Sequence, residues 1–225
     1  MSDKETRRIE MIVAQSGSGK EQWMEQHREE YSDYTVISFD EIIADIEQGI
    51  KDIAQTNPNM PLKDIANQYL DNTGNKLEGY TAKYWNEQHP KMIIDDILGH
   101  LGNEPYNNKP FKEYKFEDPM FKNYLELAGY IYHAKITKAV ENGENILIDK
   151  NNRTAFVRKE ALDIAKGSDK YQYESTALYI PPSAQKTASN KPFEPPQKNE
   201  FDNVEEIRMT FIEKIFSGIS SPRNR

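Results

Sequence analysis

Cysteine is absent from this chain of 225 residues. Its absence excludes disulfide bonds, thiol nucleophiles and thiolate metal sites, and it fits a reducing compartment. Histidine is scarce, four in all, and none stand at H-x-x-x-H spacing, so a zinc site is not expected. No apolar run approaches the length of a bilayer-spanning helix. The opening MSDKETRR has no apolar stretch behind its charges that would serve as a signal peptide. The expectation is a soluble cytoplasmic protein (host cytoplasm if phage-encoded) with no membrane partner. An excess of positive charge is also lacking: 29 Lys and Arg face 37 Asp and Glu, for a net −8. That disfavours broad non-specific binding to nucleic acid, which needs a basic surface, but leaves room for a local basic groove.

What is present is concentrated near the start. Ile9, Met11, Ile12 and Val13 form a short apolar run that leads into Ser16-Gly17-Ser18-Gly19-Lys20, and a helical pattern follows. Strand, glycine-rich loop and helix in this order predict a phosphate-binding P-loop. The glycines let backbone N–H groups turn inward around an anion, the helix N-terminus adds partial positive charge, and Lys20 reaches the terminal phosphates. Two positions depart from G-x-x-x-x-G-K-[ST]: Ala14 replaces the first glycine, and Glu21 replaces the hydroxyl that ordinarily ligates Mg²⁺. A carboxylate also binds Mg²⁺, although Glu21 brings its charge close to the phosphates. The competing reading is a plain glycine turn that caps a helix.

Further along, residues 35–38 read as a second strand and 40–49 as a helix with Ile42, Ile43 and Ile46 on one face. Residues 50–117 read as a mostly helical insert, with helices at 61–70 and 91–101. Asp118 and Pro119 open a long helix to about Glu141. Residues 145–148 form a third strand, apolar on successive residues as in a buried parallel strand. A helix at 153–166, a fourth strand at 175–180, a proline-rich loop at 181–199 and a last helix at 203–217 complete the pattern. Residues 1–8 read as a polar tail. Strands alternating with helices predict an α/β fold, a parallel sheet with helices on both faces. The expected organisation is one domain over 1–225, with the insert at about 50–117 and a lid at about 181–199.

Ligands of open α/β sheets lie beyond the carboxyl ends of the strands. The glycine loop follows the first strand, Asp40 the second, and Asp149-Lys150-Asn151-Asn152-Arg153 the third. Asp40 reads either as a helix N-cap or as a general base that takes a proton from an attacking hydroxyl. Asp149 reads as a helix cap or as a group near metal and acceptor, with Asn151, Asn152 and Arg153 adding donors and acceptors at the same edge. Tyr106, Lys109, Phe111, Lys112, Tyr114, Lys115 and Phe116 interleave aromatics with lysines. Such a stretch either stacks bases of a single strand or packs back onto the insert.

Ser16-Gly17-Ser18-Gly19-Lys20 followed by Trp23 resembles the P-loop of phage polynucleotide 5′-kinases. The Lys20-to-Asp40 interval matches the spacing there between P-loop lysine and catalytic aspartate. Ile148-Asp149-Lys150-Asn151-Asn152, with Arg158-Lys159 downstream, resembles the D-[RK]-N-N segment of fungal tRNA ligase kinase domains. The resemblance covers roughly 9–49 and 119–217. It implies a P-loop kinase fold and transfer of the γ-phosphoryl of ATP or GTP, with Mg²⁺, to the 5′-hydroxyl of RNA or DNA, with nucleic-acid repair as a setting. By the same resemblance Asp40 is the base, Lys20 and the loop amides hold the β and γ phosphates, and Asp149 lies near acceptor and metal. Glu21 and Asp149 are then the candidate metal ligands. Phe39 and Ile43 stand where the phage enzymes carry arginines, and no arginine lies between Arg158 and Arg208. Lys186 and Lys191 are the nearby lid cations left to contact the nucleotide, with Lys198 further on, and lysine supplies charge without a bidentate fork. Two alternatives stay open. One is a kinase for a small molecule, of the kind seen in zeta-type toxins that act on a nucleotide sugar. The other is a degenerate nucleotide-binding module that works by interaction.

Overall fold

The computed structural model describes residues 4–77, 79–88, 93–115, 117–182 and 192–208. It contains a five-stranded, wholly parallel sheet in the order β2-β3-β1-β4-β5. The strands are β1 (Glu5–Ala14), β2 (Tyr34–Ser38), β3 (Asn145–Asp149), β4 (Tyr171–Ile180) and β5 (Asn203–Glu206). Met11, Ile12, Val13 and Ala14 of β1 are all fully buried, as are Ile146, Leu147 and Ile148 of β3. Burial of successive residues means that both faces of the central strands are covered, which is the condition a parallel sheet requires. Ile12, Ala14, Leu147, Leu178 and Ile180 pack with Trp23 of helix α1 (Lys20–Gln26) in one cluster. Trp23 is therefore a core residue.

The chain divides into two compact units. The first comprises residues 1–38 and 136–225 and holds the sheet, α1 and α7 (Ala155–Lys166). The second comprises residues 39–135 and is helical: α2 (Phe39–Thr56), α3 (Leu62–Thr73), α4 (Gly79–Gln88), α5 (Ile94–Leu101) and most of α6 (Pro119–Asn142). The expected insert at 50–117 falls within this second unit. In α2, Ile42, Ile46 and Ile50 recur at helical spacing and are buried. Gly49 on the same helix has a packing reason: a Cβ there would meet the Tyr69 ring of α3 at 2.3 Å. Asp118 caps α6 as expected, its Oδ1 accepting from Met120 N at 2.9 Å.

Three expectations need correction. Residues 5–8 are not a tail, because they extend β1 and pair in register with Tyr171–Glu174 of β4. Their polar side chains gave no strand signal, and the pairing that makes them a strand is with residues far away in the chain. Residues 203–206 are not helical. They form edge strand β5 against Thr176–Tyr179, and residues 209–217 of the expected helix lie outside the described residues. An edge strand with exposed glutamates is protected against pairing with another chain. Ser175 ties down its approach, donating from N (2.8 Å) and Oγ (2.7 Å) to the Asp202 carboxylate. Those hydrogen bonds hold the Asp202 carboxyl below the usual aspartate range. Third, Asp40 is the second residue of α2 and not its N-cap.

Candidate functional site

The glycine loop leaves β1 after Ala14 and turns on two residues with positive φ, Gly17 (79°) and Gly19 (97°). Left-handed backbone is costly for side chains with a Cβ, so glycine is the fitting residue at both. Ser18 N donates to Gln15 O at 3.0 Å, and Trp23 N donates to Gly19 O at 3.0 Å as α1 begins. Ser16 and Gly17 are exposed, Gly19 and Lys20 buried. Ser18 Oγ is buried and has no hydrogen-bond partner. A buried hydroxyl without a partner costs free energy, about 1–3 kcal/mol, which an anion accepting its proton would recover.

Lys20 is the centre of the arrangement. Only 4% of the residue is exposed, and its Nζ lies 2.6 Å from Asp149 Oδ1. Asp149 ends β3, the neighbour of β1, so the sheet brings the two groups together across 129 positions of sequence. Glu21 is exposed, and its Oε1 lies 3.8 Å from the same ammonium. Two carboxylates thus flank one ammonium beside the loop.

The segment after β3 is built into the same edge. Ala14 N donates to Asn151 O at 3.0 Å, and Asn151 Nδ2 lies 3.4 Å from Ser16 Oγ. Asn152 has φ +43°, a conformation asparagine tolerates better than most residues. It is 2% exposed, and its Nδ2 donates to Ile12 O (2.9 Å) and Lys150 O (3.0 Å). This asparagine therefore stitches the β3 loop to β1 just ahead of the glycine turn. Arg153 O accepts from Glu194 N at 2.7 Å.

Sequence reading missed the clamp behind this segment. Arg158 of α7 is fully buried. Its Nε and Nη2 donate to the two oxygens of Glu200 at 2.7 and 2.9 Å, and Nη1 donates to Asn152 O (3.0 Å) and Glu194 O (2.9 Å). One guanidinium thereby joins the loop after β3 to residues 194–200. A signal was available: Arg158 shares a helix stripe with Ala161, Leu162 and Ala165, all buried. A cation on an apolar stripe requires a buried acceptor. Arg158→Met is expected to destabilise the fold by about 3–5 kcal/mol by leaving Glu200 without its partner. Urea unfolding monitored by circular dichroism checks this. A loss under 1 kcal/mol would show that the clamp is dispensable.

Asp40 is exposed in the first turn of α2, two residues beyond Ser38, the β2 residue in register with Asp149. Lys186 and Lys191 lie outside the described residues. In the aromatic and lysine stretch Phe111 and Tyr114 pack within the second unit, while Lys112 and Lys115 are exposed. Phe111 stacks on Phe121 at 4.8 Å and meets Tyr124 edge-on at 5.9 Å, while Lys109 sits 4.2 Å over the Tyr114 ring. Phe116 lies outside the described residues. Among the described residues no three His, Asp or Glu side chains converge as a metal site. A divalent ion beside Asp149 and Glu21 would take most of its ligands from phosphate and water, as Mg²⁺ commonly does.

A parallel sheet whose central strand ends in a glycine-rich loop, with a lysine held by an aspartate from the adjacent strand, is an α/β fold with a P-loop-type turn. No protein-family model and no curated protein matches the sequence. The chain is similar to a solved chain from a characterisation of the PezAT chromosomal toxin–antitoxin system of Streptococcus pneumoniae. It has 16% identity and a TM-score of 0.36, and the match covers 80% of this chain and 49% of that one. The chain therefore matches about half the length of that structure. No helix among the described residues is long and apolar enough to cross a membrane.

Proposed function

We propose that this protein is a nucleoside-triphosphate-dependent phosphotransferase that moves the γ-phosphoryl of ATP or GTP to a hydroxyl. The leading acceptor is the 5′-hydroxyl of RNA or DNA. The observation that carries the reading is the Lys20–Asp149 pair, 2.6 Å apart, beside a loop that turns on two left-handed glycines. In this reading the chain is one kinase domain, with an insert at about 50–117 and a lid at about 181–199. The amides of residues 16–20 and the Lys20 ammonium hold the β and γ phosphates, and the orphaned Ser18 hydroxyl donates to one of them. Asp149 and Glu21 would hold Mg²⁺, which would neutralise phosphate charge. Lys20, 2.6 Å from Asp149 without nucleotide, would leave it for the phosphates. Asp40 accepts the proton of the attacking hydroxyl. Asn151 and Arg153 face the acceptor, with Asn152 fixing their loop, and Lys186 and Lys191 supply cationic charge from the lid.

A second reading, a small-molecule acceptor, is favoured by the inward packing of Phe111 and Tyr114, which leaves less aromatic surface for a strand. Transfer of label from γ-labelled ATP or GTP, with Mg²⁺, to 5′-hydroxyl oligonucleotides, nucleosides and nucleotide sugars separates the readings. Label on oligonucleotides is expected. Label on nucleosides or nucleotide sugars alone selects the second reading. Nucleotide binding without label on any acceptor sinks both in favour of a binding module.

A further inference from the structure

The Arg158 clamp and the glycine loop are joined through Asn151 and Asn152 by a short run of hydrogen bonds. The Glu200 carboxylate accepts from Nε and Nη2 of Arg158, whose Nη1 donates to Asn152 O at 3.0 Å. Asn152 Nδ2 donates to Ile12 O at 2.9 Å, and Asn151 O accepts from Ala14 N at 3.0 Å. Ala14 is the last residue of β1, and the loop starts at the next position. All of these residues belong to the first compact unit. Glu194 completes the frame. Its O accepts from Arg158 Nη1 at 2.9 Å, and its Oε2 accepts from Ala155 N at 2.8 Å, where Thr154 gives α7 no side-chain cap.

Two features of this run are costly for a part that only had to hold the fold together. A buried guanidinium loses its hydration, and apolar side chains in place of both Arg158 and Glu200 would serve stability as well. Asn152 takes φ +43° and keeps Oδ1 buried with no hydrogen-bond partner. Glycine would adopt that backbone without the orphaned oxygen. What asparagine supplies and glycine lacks is Nδ2, which bonds Ile12 O and Lys150 O. What arginine supplies and lysine lacks is a flat fork that fixes several acceptors at once. Its four hydrogen bonds set the Glu200 carboxylate, Asn152 O and Glu194 O relative to one another. Local cost of this kind, kept beside a loop that turns on two left-handed glycines, is the mark of a constraint on position.

We propose that Arg158 and Asn152 are positioning residues for the glycine loop. Glu200, through the Arg158 fork and the Asn152 amide, sets where the end of β1 lies and so where the amides of Gly17, Ser18 and Gly19 point. Both residues act through Ile12 and Ala14 and need no contact with a phosphate. Amides hold an anion well only when they are aimed before it arrives, and side chains behind them keep that aim. The consequence for nucleotide binding rests on the phosphotransfer reading. The effect on the loop amides does not.

The test uses the full chain with Arg158→Lys, which keeps the charge and loses the fork, and Asn152→Gly, which keeps the backbone conformation and loses Nδ2. Leu162→Ala, a truncation of a buried apolar residue of α7 outside the clamp, controls for general destabilisation. The amide NMR signals of Gly17, Ser18 and Gly19 are read first without nucleotide. The Kd for ATP with Mg²⁺ is then measured by isothermal titration, at a temperature where circular dichroism shows each variant folded. Both clamp variants are expected to move the three amide signals and to weaken ATP binding about tenfold or more, as loss of outer-shell partners does at metal sites. Leu162→Ala is expected to lower the melting temperature and to leave both readouts as in the wild type. Unmoved amide signals, wild-type ATP affinity in the clamp variants, or the same response from Leu162→Ala overturns the proposal. Asn152→Gly decides alone where Arg158→Lys does not fold. A wild-type chain that binds no ATP sinks the phosphotransfer reading, and the amide signals then still decide this one.

Discussion

Asp40→Asn is expected to lower phosphoryl transfer by about 10²–10⁴-fold, the usual worth of a positioned general base. The thermal shift caused by ATP or GTP should stay as in the wild type. The substitution removes the proton acceptor, keeps the side chain nearly isosteric and leaves the glycine loop untouched. Asp40 is exposed in the first turn of α2, so no buried partner is lost and the fold should be unaffected. A carboxylate at that position also favours the helix by interacting with its dipole, worth some tenths of a kcal/mol. The two roles separate in the readout: loss of the dipole contribution changes the melting temperature slightly and the rate not at all. Wild-type turnover in the variant would strip Asp40 of any part in the reaction.

Lys20→Met is expected to remove most nucleotide-dependent stabilisation and to reduce transfer by about 10²–10³-fold, as loss of one preorganised charge contact on the reacting group does elsewhere. The effect has two parts. The ammonium no longer neutralises phosphate charge. Asp149, which has Lys20 at 2.6 Å, also keeps its carboxylate without a cation. That orphaning is expected to cost about 1–3 kcal/mol of stability. A Lys20→Met/Asp149→Asn double variant should regain part of the stability and none of the transfer. Recovery of transfer in the double variant would mean that the pair is structural and that the phosphate contact lies elsewhere. Isothermal titration with ATP and the label-transfer assay measure the two parts independently.

The positions of the polar groups explain why some features were readable from the chain and others were not. The glycine loop was legible because its requirements are local: an apolar run, two glycines where positive φ is needed, and a lysine at a fixed offset. The long helix from Pro119 was legible for the same reason, since an aspartate cap and a proline at the first turn act within a few residues. Strand β5 was not legible, because Asn203–Glu206 is polar and becomes a strand only by pairing with β4. The Arg158–Glu200 clamp gave a hint in the apolar stripe of α7, but its acceptor lies 42 positions away.

By itself the sequence determined an α/β fold with a phosphate-type loop, because alternating apolar periodicities and glycine backbone freedom are encoded residue by residue. Only tertiary structure decided that Asp149 grips Lys20, that Asn152 is buried beside β1, and that Phe111 and Tyr114 pack on Tyr124 of α6. Those are contacts between groups that spacing along the chain does not relate. They exist because the parallel sheet sets β3 beside β1 and because α6 offers the insert's aromatics an apolar face to cover.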